Sequence, residues 1–309
     1  MIYRASLKLK ARPPFDFHKC IAIFGKGDDQ IRAGRDGKYW QVIRINRNLV
    51  LATIASTGTV NAPALAVELE SNQKLTKVEI LQAKATITRL FNLELDLRPF
   101  YRHTAKDKIM TRLVQKLFGL KPPRTETVFE ALIDSIIEQQ ISLRAAQSME
   151  VKLVKAFGAK LELDHRIYYI YPTPQALASA AVSALQKCGL SGRKIEYIKD
   201  ISAMVASREL DLDKFEHYKD PEKIVSELDE VRGIGVWTAE LTALRGLGRL
   251  EVIPADDLGV RRCISDYYRH GRKVSASAAR KLATQWGYFK GMATFYLIMA
   301  EHMGITPDY

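Results

Sequence analysis

The sequence predicts an α+β protein, a small N-terminal mixed α/β domain over residues 1–104 followed by an all-α domain over residues 105–309. Three observations predict it. Short apolar runs separated by Gly- and Asp-rich turns crowd the first hundred residues, as in strands joined by hairpins. Beyond Ala105 the apolar residues recur at helical spacing, with Pro122-Pro123 and Pro172–Pro174 punctuating the segments. A chain of 309 residues that is 47% hydrophobic buries enough core for two or three lobes.

In chain order, the apolar runs Cys20–Phe24, Tyr39–Ile45 and Leu49–Ala55 read as strands, with turns such as Gly25–Asp29 and Gly34–Gly37 between runs. A helix follows at Lys77–Leu93, where Val78, Leu81, Ala85 and Thr88 keep near-helical spacing and Phe91 closes the face. The next clear helix runs from Thr127 to about Gln139; it turns Val128, Leu132, Ser135 and Ile136 inward and ends in Gln139-Gln140-Ile141-Ser142. Ile224, Leu228 and Val231 recur at helical spacing, Gly233 and Gly235 interrupt the pattern, and Trp237, Leu241 and Leu244 restart it. That is a helix, a tight hairpin and a helix across residues 223–246. After Leu250 the run Glu251-Val252-Ile253 leads into Pro254, and Val260, Ile264 and Tyr267 mark another helix, whose entrance holds Asp256 and Asp257.

Two of these places carry chemistry. Glycine tolerates positive φ and has no side chain, so the Gly233–Gly235 turn can press backbone N–H groups against a phosphate, helped by the dipole of the helix it opens. Such a grip reads no base sequence. An ordinary turn between helices is the other reading, because Gly-x-Gly is common. At the second place one of the two aspartates is expected to cap the helix, and the dipole favours the ionised form of both. Two adjacent carboxylates exceed what one cap needs, which leaves the second for chemistry.

The composition narrows the partner. The chain carries 47 Lys+Arg against 35 Asp+Glu, a net charge of +12 and a pI near 9.5, which suits a polyanion; charge alone admits DNA, RNA or an acidic membrane surface. Residues 1–100 hold 16 Lys+Arg against 9 Asp+Glu, so the N-terminal lobe carries more than half of the excess. Lys26, Arg32, Arg35 and Lys38 there fall in predicted loops within reach of flanking phosphates, or serve only solubility. No apolar run approaches bilayer length and no leader segment opens the chain, so an intracellular chain without a membrane partner is expected. Cys20, Cys188 and Cys263 are scattered, and His18, His103, His165, His217, His270 and His302 form no zinc signature, so no transition metal is expected.

Taken together, these segments resemble the helix-hairpin-helix DNA glycosylase superfamily, most closely its bacterial and archaeal 3-methyladenine DNA glycosylase II branch. The resemblance takes in Val128–Lys155, Tyr171–Pro174, Gly189–Ile201, the hairpin, Ala243–Gly246, Asp256-Asp257 and Trp286–Leu297. It implies that the catalytic carboxylate is the aspartate just before a hydrophobic helix residue, which is Asp257 before Leu258, and that Asp256 takes the neighbouring structural place. It implies double-stranded DNA containing damaged bases as the partner, held by Arg232, Gly233, Ile234 and Gly235, with the Gln139-Gln140 tip entering the duplex and Gln140 in the intercalating position. Where bifunctional relatives keep a nucleophilic lysine, two residues after the second hairpin glycine, this chain has Trp237, which implies a monofunctional hydrolase that leaves an abasic site.

Trp237 is either a core aromatic or a wall for the extruded base. Two further aromatics of the family pattern are replaced by Leu241 and Ile298, so the expected wall is thinner, and Trp286, Tyr288 and Phe289 are either a substitute for it or core. The four-cysteine iron–sulfur loop of the endonuclease III branch is missing. No cofactor is expected, though the hairpin leaves room for a monovalent cation. The expected protein is thus a monomeric glycosylase of base excision repair, in the cytoplasm with the nucleoid, releasing 3-methyladenine and related N-methylated purines. An 8-oxoguanine-type glycosylase is the nearest other enzyme. A non-catalytic helix-hairpin-helix DNA-binding module is the other class, and it has no use for Asp257.

Overall fold

The computed structural model describes residues 1–307. Its N-terminal lobe is an antiparallel sheet of β1 (Tyr3–Lys10), β2 (Arg32–Arg35), β3 (Lys38–Ile45), β4 (Asn48–Ser56) and β5 (Ala64–Ser71), in the order β1-β5-β4-β3-β2. The β3–β4 hairpin matches the expected strands, and its turn holds Asn46 at φ +54°, a left-handed conformation that asparagine tolerates. Cys20–Phe24 is a correction. It belongs to α1 (Phe17–Phe24), because Asp16 caps that segment by accepting a hydrogen bond from Lys19 N at 3.0 Å, and Phe17, Cys20 and Ile21 are buried on one helical face. The expected helix after the sheet is α2 (Lys77–Leu90), which opens with a reciprocal Thr76–Glu79 capping box and ends three residues early.

The rest is helical: α3 (Arg98–His103), α4 (Lys108–Lys116), α5 (Val128–Glu138), α6 (Leu143–Phe157), α7 (Pro174–Ala178), α8 (Val182–Lys187), α9 (Gly192–Ala206), α10 (Pro221–Asp229), α11 (Val236–Leu247), α12 (Leu258–Arg269), α13 (Ala276–Ala283) and α14 (Lys290–His302). One short hairpin interrupts it, β6 (Lys160–Leu163) paired with β7 (Arg166–Tyr169). Its Leu161 and Leu163, with Ile170, pack against Val42 and Leu51 of the sheet.

Two larger cores organise the chain, and the first spans residue 104. The first joins the sheet and α1–α4 to residues 250–300, so that Phe24 stacks on Phe295 and Phe100 meets Tyr296 edge-on. The second lies among α5, α6, α9, α10 and α11. Its axis is α5, buried on every side. Helix α11 packs antiparallel along α5, since Gly246 lies beside Val128 and Ala131 while Thr238 bonds to Gln139. A Cβ at Gly246 would come within 3.1 Å of Val128 Cα, so the close approach needs glycine. The lobes are also joined by charge, Arg32 of β2 reaching Glu130 of α5 at 2.8 Å and Glu150 of α6.

Candidate active site

The loop from α11 to α12 is short and tightly turned, with Ala255 N donating to Ile253 O at 2.8 Å and Asp257 N to Pro254 O at 3.0 Å. It delivers Asp257 as the N-cap of α12: Oδ1 accepts from Val260 N at 2.9 Å. The other oxygen, Oδ2, accepts from the Trp237 indole Nε1 at 3.0 Å. The cap, expected on the aspartate not assigned to chemistry, therefore falls on Asp257, whose other oxygen holds the indole. Asp256 does not cap; it pairs with Arg280 of α13 at 3.2 Å. Leu258, next to the carboxylate, is 74% exposed.

Trp237 stands in the first turn of α11, half-buried, with its indole N–H against Asp257. Trp286 is the opposite case. It is 1% exposed, donates to Asp107 Oδ2 at 3.2 Å and packs edge-on to Tyr268, so it is a core residue and not a pocket wall. Tyr288 is exposed beside Phe289 and Glu251, and among the described residues no contact joins it to Trp237 or Asp257.

The hairpin places Gly233 at φ +96° with the Tyr197 ring where a Cβ would stand, 2.5 Å away. Gly235 opens α11 without a side-chain cap, and open space lies where its Cβ would be. The first N–H groups of that helix therefore have no side-chain cap. Ile234 is 3% exposed and its side chain belongs to the second core, so the expected DNA contact is limited to its backbone. Arg232 is exposed but engaged, paired with Glu196 at 2.6 Å and lying over the Tyr197 ring.

The Gln139-Gln140 tip divides its two residues. Gln139 Nε2 donates to Gly233 O and Thr238 Oγ1, both at 3.0 Å, so it braces the tip against the hairpin. Lys194 adds a second brace, donating to Ile137 O at 2.7 Å. Gln140 is exposed at φ +57°, a conformation rare for a non-glycine residue, and makes no side-chain hydrogen bond among the described residues. One helix pair thus carries the tip, the hairpin and the indole that holds the carboxylate.

Sequence reasoning missed Glu240 and Arg280. Glu240 sits one turn after Trp237, is buried, and binds Arg280 at 2.5 Å. An acid between Trp237 and Leu241 on an apolar helix face was the available signal. Arg245, five residues further on, pairs with Glu138 at 2.7 Å beside the tip. Among the described residues no three His, Cys, Asp or Glu side chains gather into a metal-binding group, and no helix is long and apolar enough to cross a membrane.

Comparison with known proteins agrees with this architecture. Residues 133–287 match the family described as HhH-GPD superfamily base excision DNA repair protein. The chain is 32% identical over 209 residues to the DNA-3-methyladenine glycosylase of Bacillus subtilis, covering 67% of this chain and 68% of that protein. A solved 3-methyladenine DNA-glycosylase from Archaeoglobus fulgidus superposes with a TM-score of 0.84 at 26% identity, over 96% of this chain and 99% of the other. An 8-oxoguanine glycosylase/lyase from Clostridium acetobutylicum shares the fold, with a TM-score of 0.77 at 20% identity over 99% of both chains.

Proposed function

Because the chain belongs to the HhH-GPD superfamily of base excision DNA repair proteins, we propose that it is a monofunctional DNA glycosylase that flips alkylated bases, 3-methyladenine and related N-methylated purines, out of the duplex and releases them by hydrolysis. The observation that carries the reading is the 3.0 Å hydrogen bond from Trp237 to Asp257, which holds a carboxylate at the edge of an indole ring at the start of the hairpin's second helix.

The target bond is inaccessible inside a stacked duplex, so the nucleotide rotates out and the gap needs support. Gln140, exposed at the tip, fills that gap, while the uncapped N–H groups at Gly235 hold a backbone phosphate. As the base departs, positive charge builds on the sugar, and the Asp257 carboxylate stabilises it and orients the attacking water. The Trp237 ring face stacks on the cationic base while its N–H keeps Asp257 in place. Methylated purines carry positive charge and leave readily, so little acid assistance is needed. The chain has no lysine between Lys223 and Lys273, which removes the usual amine from the hairpin and disfavours an oxidised-base lyase. The working unit is read as a monomer, acting where the chromosome lies, in the cytoplasm with the nucleoid.

The test is incubation of the full chain with a methylated duplex. Free 3-methyladenine should appear, the strand should break only after alkali, and borohydride should trap no covalent complex. Failure to release any methylated base overturns the glycosylase reading, and a trapped species overturns its monofunctional part.

A further inference from the structure

Arg280, on α13, touches three parts of the molecule at once. Its guanidinium donates to Glu240 Oε1 at 2.5 Å, to Ile253 O at 3.3 Å and to Asp256 Oδ2 at 3.2 Å. Glu240 lies on α11 one turn after Trp237, Ile253 begins the loop that delivers the two aspartates, and Asp256 precedes Asp257. Helix α11 therefore holds both aspartates: Trp237 reaches Asp257 directly, and Glu240 reaches Asp256 through Arg280.

We propose that Arg280 is a positioning residue that, with Glu240 and Asp256, fixes the 253–257 loop so that the Asp257 carboxylate stays where the sugar charge develops. The proposal rests on the reading of Asp257 as the catalytic carboxylate. An ion pair made only for stability is a poor use of this place. Glu240 is buried, and its Oε2 has no partner among the described residues, so the carboxylate is desolvated for one satisfied oxygen. Replacing such pairs with apolar groups is often neutral or stabilising, so a geometric role accounts for this pair better than stability does. The planar guanidinium is the group that can do this: it offers several donors in a fixed fork, whereas a lysine ammonium is a point charge on a flexible stem.

The test uses the intact protein and two readouts. The first is the indole N–H signal of Trp237 in a nitrogen–proton correlation spectrum, with Trp40 and Trp286 as internal references, since they bond to Asp29 O and Asp107. The second is single-turnover base release at saturating enzyme, alongside affinity for duplex with an abasic-site analogue. Arg280→Met should move the Trp237 signal alone and slow release about tenfold to a hundredfold, as small misplacements of a catalytic group do, with affinity unchanged. Arg280→Lys should recover part of the rate. Should Arg280→Met fail to fold, Asp256→Ala, which removes only the outer, exposed arm, should show the same pattern more weakly. An unmoved Trp237 signal or an undiminished rate in a folded variant overturns the proposal. If the natural protein releases no base from any lesion, the functional reading has failed separately, and the Trp237 signal alone then decides whether Arg280 sets the position of Asp257.

Discussion

At the scale of single residues, Asp257 uses both carboxylate oxygens, one on the α12 cap and one on the Trp237 indole. Asparagine caps helices about as well as aspartate but cannot offset a developing cation. Asp257→Asn should therefore melt within about 1 kcal/mol of the natural protein and lose base release by orders of magnitude at unchanged DNA affinity. Normal release by a folded variant would take Asp257 out of the mechanism. Trp237→Phe keeps a ring for stacking and deletes the bond to Asp257, whereas Trp237→Ala also loses a stack worth about 1–3 kcal/mol. The helix start at Asp257 and the helix exit at Gln139-Gln140 were legible because each depends on local chain features. Trp286 was not, since its partner Asp107 lies 179 residues away in sequence. The burial of the Ile234 side chain was not legible, because a hairpin position says nothing about which way a side chain turns.

At the scale of elements, the two hairpin glycines do different jobs. Gly233 is bound to its conformation by a φ of +96° and by the Tyr197 ring, so Gly233→Ala should cost stability, visible as a lower melting temperature without DNA. Gly235 faces open space, so Gly235→Asp should fold and instead weaken binding to lesion-bearing and plain duplex alike, by placing a negative charge where a phosphate approaches. Unchanged affinity in the folded Gly235→Asp variant would make the hairpin purely structural. The long amphipathic helices and the β3–β4 hairpin were legible from periodicity. The segment Phe17–Phe24 was not, since the five-residue apolar run Cys20–Phe24 carries too little period, and the Asp16 cap that decides it is one residue. β1, β5 and the β6–β7 hairpin went unread because their burial depends on partners from other parts of the chain.

Across the whole molecule, the seam between sheet and helices is built from buried acids. Burial pushes the Glu126 carboxyl from its ordinary 4.5 up to about 8, although Arg44 N bonds to it at 2.7 Å, and neighbouring Glu130 pushes the same way. The folded chain thus keeps a proton that the unfolded chain releases near 4.5, so this residue's contribution falls as pH rises from about 4.5 to about 8. Glu126→Gln cannot lose that proton. Its melting temperature relative to the natural protein should climb between pH 5 and pH 8.5, and parallel melting curves would refute the assignment. The core joining the sheet to residues 250–300 carries a different consequence, about time rather than energy. During synthesis Phe24 and Phe100 leave the ribosome long before Phe295 and Tyr296, their stacking partners, exist. At ordinary translation speeds the gap is on the order of tens of seconds. For that interval the first-made lobe has an open apolar face, and the last-made helices are what close it.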